Sequence, residues 1–144
     1  MLRVRLRRVG STDFVETSAR VNTGYTSSEP TLPEIYVPVS LALRLGFDIR
    51  KARRDMYATM GEAVSVLILG DVEVKVVAPD RETPWVKAIA TTLPGGRPYV
   101  IISDELLHFL NVSVIDTAGL GVWAFRDELN KLRQGVPLEL WPER

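Results

Sequence analysis

Arg20-Val21-Asn22-Thr23-Gly24-Tyr25 is the stretch on which the fold turns. Phe14 to Val21 reads as a strand, and Asn22-Thr23-Gly24 breaks it. Glycine enters backbone conformations closed to other residues, and asparagine tolerates them better than most. A loop with two prolines follows from Ser27 to Pro33, then a short extended piece, Glu34 to Val37. Pro38 opens an amphipathic helix, Val39-Ser40-Leu41-Ala42-Leu43-Arg44-Leu45, and Gly46 is its natural stop.

On the N-terminal side, Leu2, Val4 and Leu6 alternate with Arg3, Arg5 and Arg7. A period of two predicts a half-buried strand with one basic face, paired to the strand ending at Val21 through the turn Gly10-Ser11-Thr12-Asp13. The basic face reads as a solvated strand face or a dimer edge, and not as a nucleic-acid stripe, because acidic residues balance the charge. On the C-terminal side, Asp48 to Asp55 is polar and basic and is expected to be loop, with β structure from Met56 and a turn at Thr59 to Gly61. Val64 to Leu69 and Val72 to Val77 flank Gly70-Asp71, a two-residue hairpin signal. Val86 to Thr92 and Tyr99 to Ile102 read as strands around the loop Pro94-Gly95-Gly96-Arg97-Pro98, and Asp104 to Leu110 as one or two helical turns. Val112 to Ile115 and Val122 to Phe125 form a hairpin around Asp116-Thr117-Ala118-Gly119. The tail divides into a helix-like Asp127 to Gln134, stopped by Gly135, and a strand-like Leu138 to Trp141. The expectation is one mainly β domain over residues 1–144, with a core at about 14–125 and a helix-plus-strand extension over 126–144.

Composition narrows the chemistry. A chain of 144 residues buries about 70% of its unfolded surface, enough for a core without staples. Eighteen basic and eighteen acidic residues cancel, so no global field draws in nucleic acid or an anionic membrane. No cysteine is present, which removes disulfides, thiolate chemistry and Cys-ligated metal. With a single histidine, a His-based metal site would need a second chain. No apolar run approaches the roughly 20 residues of a membrane span, and the alternating N-terminus is no signal peptide. Cytoplasm is the expected location. One glutamine, three asparagines and an excess of arginine over lysine fit a thermophile.

Two ordered stretches resemble the retropepsin-like aspartic peptidases. The first is Arg20 to Tyr25 followed by Leu41-Ala42-Leu43-Arg44-Leu45-Gly46-Phe47, where family members carry a hydrophobic residue, Asp-Thr/Ser-Gly, and then a helix of the form LA-x-x-LG. The second is Val100-Ile101-Ile102-Ser103-Asp104-Glu105-Leu106-Leu107 followed by Val112 to Asp116. It is similar to the family's second motif: two apolar residues and Gly, a short helix with paired leucines, and a closing strand. Thr59-Met60-Gly61-Glu62 stands in the place of the flap tip. The resemblance covers roughly residues 14–125. It implies a closed β-barrel or sandwich with one or two short helices and half a site per chain, completed by a homodimer that acts on a peptide or protein without a cofactor.

An aspartic site holds two carboxylates a few Å apart that share one proton, because like charges at that distance cannot both ionise. One activates water as a base while its protonated partner polarises the scissile carbonyl. Half-length chains obtain the pair by two-fold dimerisation. By resemblance, position 22 is the catalytic one, Thr23 hydrogen-bonds the partner loop, and Gly24 lets the two loops pass closely. Tyr25 and the flap residues Thr59, Met60 and Gly61 would touch substrate, and Ile101, Ile102 and Ser103 form the structural motif behind the loop.

Asn22 is the serious departure. An amide has the shape of a carboxylate but cannot act as a base, so the chain as written is expected to be inactive. Three readings stay open: an introduced Asp-to-Asn change, a natural non-catalytic member that binds peptides, or a turn asparagine unrelated to the motif. A non-catalytic β-barrel interaction module is the alternative from another class. Tyr25 replaces a small residue, and Ser103 replaces the second motif's glycine, which would crowd the crossing behind the loop.

Other candidates read as structural. Asp116-Thr117-Ala118-Gly119 carries one residue too many for a displaced Asp-Thr-Gly and reads as a turn. His108 has neither a second histidine nor a cysteine to work with, and reads as a surface or interface residue. Gly95-Gly96 lacks the Lys-Ser/Thr of a phosphate loop. Asp80, Glu82, Asp104 and Glu105 do not match a calcium loop, and no metal site is expected. Trp85, Trp123 and Trp141 read as core or interface.

Overall fold

The computed structural model describes residues 1–21, 33–59 and 62–143. Its strands are β1 (Leu2–Arg8), β2 (Val15–Val21), β3 (Glu34–Tyr36), β4 (Arg53–Thr59), β5 (Glu62–Ala78), β6 (Arg81–Glu82), β7 (Val86–Thr92), β8 (Val100–Ile102), β9 (Val112–Asp116), β10 (Val122–Phe125) and β11 (Arg133–Gln134). Two short helices, α1 (Val39–Arg44) and α2 (Asp104–Phe109), and two 3₁₀ turns complete it. Six strands close a barrel in the order β1-β2-β8-β3-β7-β5, with β5 returning to β1. The expected mainly β closed barrel is therefore present.

Alternation builds the wall. In β1, Leu2, Val4 and Leu6 are buried while Arg3, Arg5 and Arg7 face outward. In β5, Val72, Val74 and Val76 point inward and are fully buried. Ile35, Val37, Ala90, Val100 and Ile102 from the other strands meet them in one core. The outward arginines are paired, Arg5 with Glu16 at 2.9 Å and Glu82 at 3.2 Å, and Arg7 with Glu73 at 3.0 Å. Arg7 also lies 4.0 Å over the Trp85 ring. The basic face of β1 from Arg3 to Arg7 is thus neutralised by glutamates of neighbouring strands.

Three expectations fail. Gly70-Asp71 makes no hairpin: β5 runs seventeen residues through it, pairing first with β4 and then with β1. The register against β7 slips between Ile68 and Gly70, so glycine serves a bulge. A bulge and a tight turn both ask for positive φ, here +147°, so the sequence signal is shared. A Cβ at Gly70 would also lie 3.3 Å from the Phe47 ring. Secondly, Asp48 to Asp55 is not loop. Asp48 caps a 3₁₀ turn, Ile49–Lys51, by accepting from the Arg50 amide, and β4 starts at Arg53. β4 pairs only with β5 among the described strands, so its arginines stay in water and leave no apolar alternation to read.

Thirdly, the tail is neither helix nor strand as expected. Only Arg126–Glu128 turns, and Arg133–Gln134 pairs with β10. Asp127 and Glu128 bind Arg81 instead of a continuing helix. Leu138 to Trp141 crosses β2, whose two edges β1 and β8 already occupy. Over β2 the tail therefore bonds to side chains, the Glu139 amide to Ser18 Oγ at 2.6 Å and Trp141 Nε1 to Thr17 Oγ1 at 2.9 Å, while the Trp141 amide donates to the Pro98 carbonyl. The hairpin of β9 and β10 forms as expected, with β11 added.

Candidate functional site

β2 runs parallel to β8, with Val21 opposite Ile102, and β3 runs antiparallel to β8, with Ile35 opposite Ile102. The end of β2, the end of β8 and the start of β3 therefore lie side by side at one end of the barrel. Val21 is the residue immediately before Asn22. Asn22, Thr23, Gly24 and Tyr25 lie outside the described residues, as do Met60 and Gly61. Thr59 is the last residue of β4, opposite Glu62, and the rest of the turn expected at 59–61 lies outside the described residues.

Ser103 organises this end. Its side chain is 1% exposed, and Oγ accepts from the Glu34 amide at 3.0 Å and from the Leu106 amide at 3.3 Å. Its own amide donates to the Glu34 carbonyl at 3.1 Å. One hydroxyl thus caps α2 and holds β3 to β8, while Leu106 and Leu107 of α2 turn into the core. Its capping role was readable in the run Ser103-Asp104-Glu105, an N-cap residue followed by two acids. Ile102 is buried beside it, Ile101 is half-buried, and Glu34 is buried at the start of β3. Desolvation holds the Asp104 carboxyl above its ordinary range, with the Glu105 charge adding to the effect.

Next along β3, Tyr36 donates to the Arg97 carbonyl at 2.8 Å and ties the loop after Thr92 to the barrel. Burial, with smaller contributions from Glu143 and Tyr99, pushes its phenol up to about 12. Gly96 permits the approach, since a Cβ there would sit 2.5 Å from the tyrosine oxygen and 2.8 Å from the Leu93 carbonyl. Arg20, next to the end of β2, donates to the Tyr99 hydroxyl at 3.3 Å. A cavity of about 250 Å³ opens beside Val21, lined among others by Leu2, Arg20, Val114, Asp116 and Trp123.

The remaining candidates are placed as structure. Asp116 Oδ1 accepts from the Ala118 amide at 2.9 Å inside the turn joining β9 to β10, and Gly119 has φ +61°. His108 is exposed, and Arg126 reaches its Nδ1 at 2.8 Å. Trp123 is buried against Phe125, and Trp85 lies between Arg7 and Lys75. Asp80 is bound by Lys131 and Arg133. Among the described residues no three His, Asp or Glu side chains gather as metal ligands, and no helix is long and apolar enough to cross a membrane.

The sequence matches no protein-family model, and no curated protein is similar to it.

Proposed function

We propose that the chain is a homodimeric, retropepsin-like peptide-binding protein whose position 22 is the half-site of an aspartic pair, silent because it carries Asn22. The observation that supports this most is the pairing of Val21 with Ile102 in parallel strands. That pairing sets Val21, the residue before Asn22, beside the end of β8, next to the cap of α2, and supports the reading of Val100 to Leu107 as the second motif. The long β4–β5 hairpin, with Met60 and Gly61 between its strands, supports the flap reading.

A carboxamide at both half-sites leaves neither a base for water nor a proton to share, so peptide binding survives and hydrolysis does not. The test is a gain of function. Asn22→Asp, nearly isosteric, should cleave a denatured protein substrate best on the acid side of neutrality, where one of two coupled carboxylates stays protonated. The parent should leave the same substrate intact, with products read by mass spectrometry. A folded, dimeric Asn22→Asp protein that is silent at every pH would point to the non-catalytic interaction module.

A further inference from the structure

The segment joining α1 to β4 concentrates charge in a chain whose total is zero. Residues 44–55 carry Arg44, Arg50, Lys51, Arg53 and Arg54 against Asp48 and Asp55, so the rest of the molecule is net acidic. Asp48 is already held by Arg50 at 3.2 Å. Arg44, Lys51, Arg53 and Arg54 are exposed and enter no ion pair among the described residues. Arg3, Arg5 and Arg7 of β1 behave differently, each lying against a glutamate of a neighbouring strand. The four cations share one neighbourhood. Arg44 ends α1, the 3₁₀ turn Ile49–Lys51 packs on both α1 and β5, and Arg53 and Arg54 start β4 opposite Ile68 and Leu67. Arg8 joins them, donating to the Gly46 carbonyl at 2.8 Å and lying 4.7 Å over the Phe47 ring.

We infer that this surface docks an extended acidic segment of a partner polypeptide along the start of β4. Three features favour that occupant. β4 has a partner on one side only among the described strands, and an extended peptide can add to such an edge through main-chain hydrogen bonds. Consecutive strand residues face opposite ways, so Arg53 and Arg54 present cations on both sides of that edge and reward alternating carboxylates. Two copies of the chain meeting at β4 would oppose like charges. Nucleic acid fits less well. The patch offers few cations compared with the roughly six to ten phosphate contacts of a duplex binder, and the acidic remainder repels a long polyanion. The inference does not depend on the reading of position 22.

The test is fluorescence anisotropy with a labelled peptide rich in glutamate and aspartate, a glutamine-substituted version of it, and a labelled DNA duplex. The acidic peptide should bind at low salt and weaken as salt rises, and the glutamine peptide should not bind. Arg53→Glu with Arg54→Glu should weaken binding at least about tenfold. Reversal of two exposed cations elsewhere, Lys87→Glu with Arg97→Glu, should leave it within about twofold. Arg53→Gln with Arg54→Gln gives a milder pair should the reversal unfold the chain, with circular dichroism as the check, and it should also weaken binding. Equal loss from the patch and the remote reversals, or tighter binding of the duplex than of the peptide, would overturn the proposal.

Discussion

The Ser103 hydroxyl accepts two hydrogen bonds with almost no exposure, and its replacement has a definite expected outcome. Ser103→Ala leaves the Leu106 and Glu34 amides without their acceptor and should lower stability in urea by about 1–2 kcal/mol. Ser103→Gly, the residue the family motif carries, should cost about as much because it also removes the hydroxyl. An unchanged urea midpoint in both would contradict the capping role. At Gly96, alanine would force the Tyr36 hydroxyl away from the Arg97 carbonyl. Gly96→Ala should therefore destabilise by about 1–3 kcal/mol, and Tyr36→Phe should reduce that penalty in a double-mutant cycle. Full additivity of the two changes would count against the contact. The sequence marks both positions as special without saying why, since a cap and a close approach are completed by residues far away in the chain, Glu34 for one and Tyr36 for the other.

At the scale of elements, strands with one buried face were legible because their alternation is a physical record of that face. Leu2 to Arg7 belongs to this class. What escaped was decided by partners. β4 carries no apolar period at its arginine-rich start, β5 continues through a glycine that could equally have closed a hairpin, and the tail obeys side chains of β2 and β6. The clasp between the β6 corner and the tail has its own expected behaviour. Arg133 first, and then Lys131, hydrogen-bond Asp80 and hold its carboxyl well below the ordinary range. A carboxylate depressed in the folded state stabilises above its unfolded pKa, about 3.9, and loses that contribution as pH falls through the folded value. Thermal melts of the parent and of Asp80→Asn should differ at neutral pH and converge as pH drops below about 4. A gap that widens on acidification would contradict the clasp.

The whole molecule is a closed barrel whose one unusual end gathers the termini of β2 and β8, the start of β3 and the cap of α2. The two short motifs of the proposed family bracket that end, and the residues that would do the chemistry, Asn22 to Tyr25 and Met60 to Gly61, lie outside the described part. The proposed half-site has a purpose only when a second copy completes it, so sedimentation at micromolar concentration should report a dimer. Thr23→Val should weaken that dimer by about 1 kcal/mol if its hydroxyl bonds the partner loop. The chain contains no cysteine, which permits a direct measurement of the geometry. A disulfide forms only when two Cβ atoms come within about 3.5–4.5 Å, and a short bis-maleimide extends that reach modestly. Asn22→Cys protein should give a covalent dimer in high yield with the short cross-linker, while Asn130→Cys, on the exposed tail, should remain monomeric under the same treatment. A stable non-covalent dimer in which Asn22→Cys fails to cross-link would place position 22 away from the two-fold axis and contradict the aspartic half-site.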